Sequence, residues 1–251
     1  LKISDVQLEK GPYPTDFAIS GRNAQIIDYS GYGNHADALE KFGPRWQPSS
    51  IFGGGEYLFY GDLGQYIRIP NKIGKPTDAI TVMAWAYRDN WNQPNTENII
   101  SCTESGGWQF GMNDQNGKLN MPIYMKETMK YHYVNVPLSS LSPGWHHIAG
   151  TFDGRIMRFY IDGVLKDTTD IGTKSSIHYH NLNSVFIGAE AGSSEINPDN
   201  GRYWTGRITD VRIYGSALSE KRINEILEER MTIDSIGNLK AAYINVVENL
   251  G

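Results

Sequence analysis

The chain has little or none of four features: cysteine, long apolar runs, excess positive charge and catalytic motifs. Cys102 is the single cysteine of its 251 residues, so neither an intrachain disulfide nor a cysteine-based zinc knuckle can form. Its apolar neighbours Ile99 and Ile100 predict a buried strand residue rather than a reactive thiol. No apolar run approaches the roughly 18–20 residues of a membrane-spanning helix. We therefore expect no membrane insertion. The net charge of -5 argues against a polyanion-binding surface, so we also expect no nucleic-acid partner.

Sequence signatures of catalysis are also missing. Neither a Gly-x-Ser-x-Gly turn nor a phosphate-binding Gly-x-x-x-x-Gly-Lys loop occurs. Glycoside hydrolysis typically needs two carboxyl groups that flank the scissile bond, and alternate acids on one strand could supply them. The nearest approach to such a pair, Glu195–Asp199, contains a proline that breaks the strand. His178 and His180 share a strand face, but without a third ligand they are more typical of solvated or ligand-contacting side chains. We predict no enzymatic activity, with glycoside hydrolysis as the alternative.

Short strand-forming segments separated by turns fill most of the chain. Thr81–Tyr87 is rich in strand formers, and Asp153-Gly154 and Asp162-Gly163 each follow an apolar segment. An Asp-Gly pair is typical of a two-residue hairpin, because glycine, and less readily aspartate, adopts the positive φ of that turn. Two such turns close together predict a tight antiparallel meander.

The last clear local signal is a short helix. Ser219 is a typical N-cap, and Glu220 follows it in the first turn. Ile223, Ile226 and Leu227 recur at helical spacing and form one apolar stripe. We expect this helix to lie on the surface of the strands.

Six segments, in order, resemble those of laminin-G-like (concanavalin A-like) jelly-roll domains. They are DYSGYGNHAD (28–37), FGGGEYLFYGDLGQYIRIP (52–70), AITVMAWAY (79–87), GWHHIAGTFDG (144–154), FYIDGV (159–164) and GRITDVRIYGSALSEKRI (206–223). The resemblance implies an all-β, two-sheet antiparallel jelly-roll sandwich with a short C-terminal helix. Domains of this family mostly bind sugars or proteins and only sometimes cleave them.

The resemblance extends over residues 17–230, which we interpret as one jelly-roll domain. Residues 1–16 contain DVQLEKG (5–11), which is similar to the closing strand of jelly rolls in phage tail proteins. We expect residues 1–16 to be the end of a preceding domain plus a linker, with an N-terminal edge strand of the main domain as the alternative. Residues 231–251 are expected to be a linker or the start of a following segment. The chain begins without a methionine or a leader, so we expect an internal part of a longer protein.

The first candidate site is a calcium site. Asp28 and Asn34 bracket a loop whose glycines allow backbone carbonyls to turn toward one point, and Ca²⁺ takes about six to eight oxygen ligands. The family resemblance implies a structural ion in this loop, closed by an acid of the final strand, which here is Asp210. The alternative is an Asx-turn in which Asp28 and Asn34 bind only backbone amides.

The second candidate site is a sugar-binding surface in the loops. Aromatic faces stack on sugar rings while amide groups bind the hydroxyls. The predicted ligand-binding residues are Trp91, Asn92, Trp108, Tyr131, Tyr133, Tyr203 and Trp204. Trp91 is the strongest candidate because its neighbours are polar. Packing in the core is the alternative for each aromatic residue, and it is the prediction for Trp85, Trp145, Phe152 and Phe159.

These observations predict a non-catalytic module of a larger extracellular or virion protein, such as a phage tail fibre. Its ligand would be a cell-surface glycan or polysaccharide, and its protein partners would be other domains or subunits of the fibre. One alternative is a structural spacer or subunit-contact domain without a ligand. Another is a lectin-like accessory module of a glycan-degrading enzyme.

Overall fold

The computed structural model describes residues 24–26, 36–38, 43–48, 55–69, 75–93, 95–103, 105–113, 116–180, 184–190, 202–235 and 244–247. The strands in these ranges are β1 (Ala24–Ile26), β2 (Ala36–Ala38), β3 (Arg45–Pro48), β4 (Gly55–Phe59), β5 (Ile67–Ile69), β6 (Ile80–Arg88), β7 (Glu97–Cys102), β8 (Trp108–Asn113), β9 (Lys118–Met125), β10 (Lys130–Pro137), β11 (Gly144–Phe152), β12 (Ile156–Ile161), β13 (Val164–Asp170), β14 (Val185–Ile187), β15 (Gly206–Tyr214) and β16 (Ile244–Val247). One helix, α1, spans Glu220–Ser235, and short 3-10 turns occupy Gly61–Leu63 and Leu138–Ser140.

The strands form two sheets that pack face to face. The first sheet has the order β1-β2-β5-β14-β7-β8-β9-β10, and the second has the order β13-β12-β11-β6-β15-β4-β3. Neighbours in both orders run antiparallel, and β16 lies parallel to β15. The predicted all-β, two-sheet jelly-roll sandwich is therefore confirmed.

The core lies between the two sheets because alternate residues of each strand face the opposite sheet. On β9, Leu119, Met121 and Ile123 are buried in this core. Phe152 and Phe159 are buried there too, as predicted. Two predictions of core packing are wrong: Trp85 and Trp145 lie on the outer face of the second sheet and are half-buried. Trp85 packs against His147 and Trp145 against Tyr87, with ring centres 5.4 and 5.5 Å apart.

Cys102 lies on β7 and is fully buried in the core, as the sequence predicted. Burial raises the pKa of its thiol to about 12, because the apolar surroundings disfavour the charged thiolate. A thiol with so high a pKa is a weak nucleophile at neutral pH.

The predicted helix begins at its predicted N-cap and covers the outer face of the second sheet. The Ser219 hydroxyl accepts a hydrogen bond from the Arg222 backbone N–H at 3.2 Å, which confirms the N-cap. Ile223 and Ile226 pack with Met83, Ala149 and Tyr160 of that sheet. The apolar stripe of the helix therefore packs against the strands, as its spacing predicted.

The two Asp-Gly pairs form different turns. Asp162 and Gly163 have φ values of 52° and 77° and join β12 to β13, as expected for a two-residue hairpin with both residues at positive φ. At the other pair, only Gly154 has a positive φ, and the loop from β11 to β12 is one residue longer. The Asp153 carboxylate accepts hydrogen bonds from the backbone N–H groups of Arg155 and Ile156, at 3.1 and 2.8 Å, and so stabilises this longer loop.

The described fold extends past residue 230, where we expected the domain to end. Helix α1 continues to Ser235, and β16 pairs with Val211–Tyr214 of β15. Residues 1–16 lie outside the described residues. Within the described residues, no helix has both the length and the apolar character required to cross a membrane.

Candidate ligand-binding face

The three tryptophans predicted to bind a ligand are core residues. Trp91, Trp108 and Trp204 are at most 1% exposed. The Trp91 indole N–H donates to the Gly144 carbonyl at 3.0 Å, and its ring centre lies 5.6 Å from that of Trp204. Rings with almost no exposed surface cannot stack on a sugar, so the ligand-binding prediction for these three residues is wrong and core packing is the correct alternative.

Tyr131 and Tyr133, the predicted tyrosines of β10, lie on the outer face of the first sheet. Tyr133 is 46% exposed. The Tyr131 hydroxyl donates to the carbonyl of Gly106 and accepts from its N–H, both at 3.1 Å, which fixes the ring in place. No described helix covers this face, in contrast to the outer face of the second sheet.

Two further aromatic side chains join these tyrosines. Tyr124 of β9 pairs with Tyr131, and their ring centres are 4.9 Å apart at nearly a right angle. The His178 ring lies 5.6 Å from Tyr124. Tyr124, Tyr131, Tyr133 and His178 together form what we call the tyrosine cluster. The period-two alternation of β9 is the sequence signal that could have identified Tyr124.

A row of small and amide residues runs across the same face beside the tyrosine cluster. Asn98 of β7 pairs with Gly111 of β8, Gly111 pairs with Asn120 of β9, and Asn120 pairs with Asn135 of β10. We call these four residues the amide row. Asn135 is two positions from Tyr133 on the same strand, so both side chains point outward. Amides and tyrosines on one face can together bind hydroxyls and stack on a ring.

The other two predicted ligand residues lie elsewhere. Tyr203 is half-buried in a separate cluster with Tyr66, Phe186 and Ala189, and its ring stacks on Tyr66 at 6.5 Å. Asn92 is exposed in the turn after β6, where its backbone N–H donates to the Asn90 side chain at 3.0 Å. Among the described residues, ring contacts join two pairs of the predicted set: Tyr131 with Tyr133 on the outer face, and Trp91 with Trp204 in the core.

The predicted calcium ligands are described only in part. Asp28 and Asn34 lie outside the described residues. Asp210 is buried, and both of its carboxylate oxygens accept hydrogen bonds from Arg212 at 2.9 Å. Within the described residues, no three His, Cys, Asp or Glu side chains come together as metal ligands. The calcium site stays a prediction, and an ion at Asp210 would have to compete with the Arg212 guanidinium.

The buried carboxylates of the described residues are all paired with arginine. The pairs are Glu56–Arg207 (3.1 Å), Glu97–Arg88 (2.6 Å), Glu190–Arg202 (2.5 Å) and Asp210–Arg212 (2.9 Å). An arginine partner occupies the oxygens of a buried carboxylate with charge-assisted hydrogen bonds. These acids are therefore held by contacts within the fold and are poorly placed to reach a substrate.

Ser142, His146 and Asp162 have the order of a nucleophile, a base and an acid, but their hydrogen bonds serve the fold. His146 Nδ1 lies 2.7 Å from the Asp162 carboxylate, and Nε2 lies 3.0 Å from the Ser142 carbonyl. Since both ring nitrogens face acceptors, the doubly protonated ring is favoured, and the hydrogen bond to Asp162 raises the pKa of His146. A base whose Nε2 donates to a carbonyl cannot take the hydroxyl proton of Ser142.

Comparison with known proteins shows one family match and several structural likenesses. A family model described as the concanavalin A-like lectin/glucanases superfamily matches residues 61–224. Mouse pappalysin-1 is 23% identical over 118 residues, which cover 42% of this chain and 7% of pappalysin-1.

Among solved structures, the fold is similar to the binding domain of Paraclostridial mosquitocidal protein 1, with a TM-score of 0.60, 15% identity, and coverage of 85% of this chain and 51% of that one. The binding domain of botulinum neurotoxin serotype D gives a TM-score of 0.56, 22% identity, and coverage of 81% and 48%. The botulinum neurotoxin DC binding domain in complex with SialylT gives a TM-score of 0.58 and 16% identity, with coverage of 82% of this chain and 48% of that one. The chain thus spans about half the length of these structures.

Proposed function

Because the chain belongs to the concanavalin A-like lectin/glucanases superfamily, we propose that it is a non-catalytic module that binds a glycan on the outer face of its first sheet. The observation that carries this proposal is the exposed Tyr133 ring, which stands beside amide side chains on a sheet face that no described helix covers. An exposed aromatic ring stacks on the C–H face of a sugar, and amides hydrogen-bond its hydroxyls.

Two further observations support the proposal. A binding domain of similar fold, that of botulinum neurotoxin DC, has been solved in complex with SialylT, which agrees with a glycan as the class of ligand. The arginine partners of the buried carboxylates support a binding role over hydrolysis, because a glycosidase needs two carboxyl groups free to act on the scissile bond.

The proposed setting is a larger extracellular protein, and specifically a phage tail fibre or receptor-binding protein. The resemblance of residues 5–11 to phage tail modules supports this setting. The ligand would then be a bacterial surface polysaccharide, and neighbouring fibre domains or subunits would be the protein partners.

A glycan-array and whole-cell binding screen of wild type and Tyr133→Ala tests the proposal. The matched control is Tyr60→Ala, because Tyr60 is 45% exposed and lies after β4 of the second sheet. We expect binding by wild type and Tyr60→Ala and its loss in Tyr133→Ala, with equal melting temperatures. A well-folded protein that binds nothing would overturn the proposal and favour a structural spacer.

The same screen in calcium and in EDTA tests the proposed structural ion at Asp28, Asn34 and Asp210. Bound calcium stabilises the folded state by mass action, so EDTA should lower the melting temperature. Identical melting curves in calcium and EDTA would contradict the proposed ion.

A further inference from the structure

We infer that the ligand is an uncharged sugar whose hydroxyl groups donate hydrogen bonds to two buried amide oxygens of the amide row. The inference rests on the proposed function and narrows it to a class of glycan. It starts from Asn98 and Asn120, which stand on either side of Gly111 in the register of three adjacent strands.

Gly111 leaves space for one of these oxygens. A Cβ atom at position 111 would lie 2.2 Å from Asn98 Oδ1, so the amide oxygen of Asn98 lies directly over the glycine backbone. The orientation of this amide is fixed from its other end. Asn98 Nδ2 donates to Glu190 at 3.4 Å, and the Asn98 backbone N–H donates to the Arg202 carbonyl at 2.9 Å. The nitrogen of the amide therefore points to Glu190 and its oxygen points to the space above Gly111.

Both amide oxygens lack a donor. Asn98 is 1% exposed and Asn120 is 4% exposed, and neither Oδ1 has a hydrogen-bond partner among the described residues. A buried acceptor without a donor costs about 1–3 kcal/mol. Two such acceptors on one sheet face, on the two strands that flank Gly111, are explained if the donors come with the ligand.

The chemistry of the amide row decides the class of ligand. Unpartnered acceptors require donors, and a sugar hydroxyl donates whereas a carboxylate, sulfate or ionised phosphate only accepts. No residue of the amide row carries a charge that would attract an acidic sugar, and the nearby Glu190 carboxylate is already bound to Arg202 at 2.5 Å. An acidic group above Gly111 would instead meet the Asn98 amide oxygen, an acceptor like itself, and be repelled.

The position of Tyr133 fits one ligand that contacts both features. Asn135 and Tyr133 are two residues apart on β10, which places them roughly 7 Å apart along the strand. A sugar stacked on Tyr133 can therefore extend its hydroxyls over the amide row. Because Asn98 and Asn120 are both buried, the side chains that cover them must move to admit the hydroxyls.

The test uses the whole chain on an array of neutral and acidic glycans, followed by calorimetric titration of the strongest neutral ligand. We expect neutral glycans to bind and Asn120→Ala to bind them at least tenfold more weakly. Its melting temperature should equal or exceed that of wild type, because no described residue donates to the oxygen it removes. Asn224→Ala, on the helix over the other sheet, is the matched control and should bind as wild type does.

The outcomes separate this inference from the proposed function. Binding of acidic glycans alone, lost in Tyr133→Ala, would overturn the inference and leave the proposed function standing. The inference would also be overturned if Asn120→Ala bound a neutral glycan with unchanged affinity. It would be overturned as well if EDTA abolished binding by wild type and calcium restored it in wild type but not in Asn120→Ala, because Asn120 would then act through an ion. Absence of any glycan binding would overturn both.

Discussion

Among single residues, the adjacent histidines of β11 show how opposite surroundings shift pKa values in opposite directions. His146 points toward the core side and binds Asp162, which raises its pKa. His147 points to the other face, is buried beside Trp85, and its pKa falls to about 4 because burial disfavours the charged ring. The two residues therefore make the stability of the fold depend on pH in opposite senses.

His147 should make the protein less stable in acid. An unfolded histidine has a pKa of about 6.5, so between that value and about 4 the unfolded chain binds a proton that the folded chain does not. This contribution to stability is complete above pH 6.5 or so and is lost as the pH falls, by about 2–3 kcal/mol at about pH 4.5. Urea unfolding at neutral pH and near pH 4.5 measures the loss. His147→Phe should lose less stability over the same range, and an equal loss would contradict the prediction.

His146 should act in the reverse direction. A folded pKa above the unfolded value stabilises the fold fully below the unfolded pKa, and this stability disappears as the pH rises through the raised pKa. Asp162→Asn should lower the His146 pKa, which an NMR titration of its ring protons measures. Asp153→Asn alters the other Asp-Gly turn and serves as the control. A His146 pKa that is the same in wild type and Asp162→Asn would show that Asp162 does not raise it.

Trp91 and Tyr133 show what residue-level reasoning can and cannot predict. Polar neighbours suggested that Trp91 is exposed, but in a turn the flanking side chains face water while one large ring can point inward. Tyr133 lies in a strand, where alternation with the buried Val134 fixes its outward direction. The direction of a side chain can therefore be predicted from the sequence where a regular strand period decides it, whereas in a turn it cannot.

Among the elements, the hairpin from β12 to β13 also supports the helix. Gly163 has a positive φ, and its carbonyl accepts a hydrogen bond from the Asn224 amide of α1 at 3.1 Å. The Asp-Gly pair predicted the turn and Ser219 predicted the helix start. The contact between the turn and the helix could not be predicted, because it depends on where the helix crosses the sheet.

Gly163→Ala and Gly172→Ala separate backbone strain from crowding. Their φ values are 77° and 81°, so each alanine should cost about 1–2 kcal/mol of strain. A Cβ at Gly172 meets nothing within 4 Å, whereas one at Gly163 lies 2.0 Å from Asn224 Oδ1. We expect Gly163→Ala to lower the free energy of unfolding by about 1–3 kcal/mol more than Gly172→Ala in urea titrations. Asn224→Ala should recover part of that difference, and equal costs for the two alanines would contradict the contact.

For the whole molecule, the close approach of the two sheets depends on Gly150. A Cβ at this position of β11 would lie 2.2 Å from Met121 Sδ and 2.8 Å from Phe110 Cε1, both of the opposite sheet. A side chain here would therefore separate the sheets or force the facing residues to repack.

Gly150→Ala should lower the free energy of unfolding by about 1–3 kcal/mol through overpacking. Met121→Ala alone should lower it by about 2–5 kcal/mol by leaving a cavity. Because each change relieves the other, the double variant should be less destabilised than the sum of the two. Denaturant unfolding of the four proteins measures this coupling, and strict additivity would show that the residues do not meet across the core.

The sandwich as a whole was predictable because its strands, turns and helix each have a local signal and occur in the order of a known family. The proposed binding face was not predictable by the same means. Recognising it requires knowing that α1 covers the second sheet, and that Asn98, Gly111 and Asn120 are neighbours across three strands. Those are facts of strand order and register, which no single segment encodes.

The enclosed thiol of Cys102 has a practical consequence for studying this protein in solution. Because maleimides and other thiol reagents require an accessible thiolate, the folded chain offers them no native target. A cysteine introduced at one surface position, such as Lys130→Cys at the start of β10, would therefore carry a fluorophore or spin label alone. Spectroscopy of such a singly labelled protein would therefore carry no signal from label attached to the native cysteine.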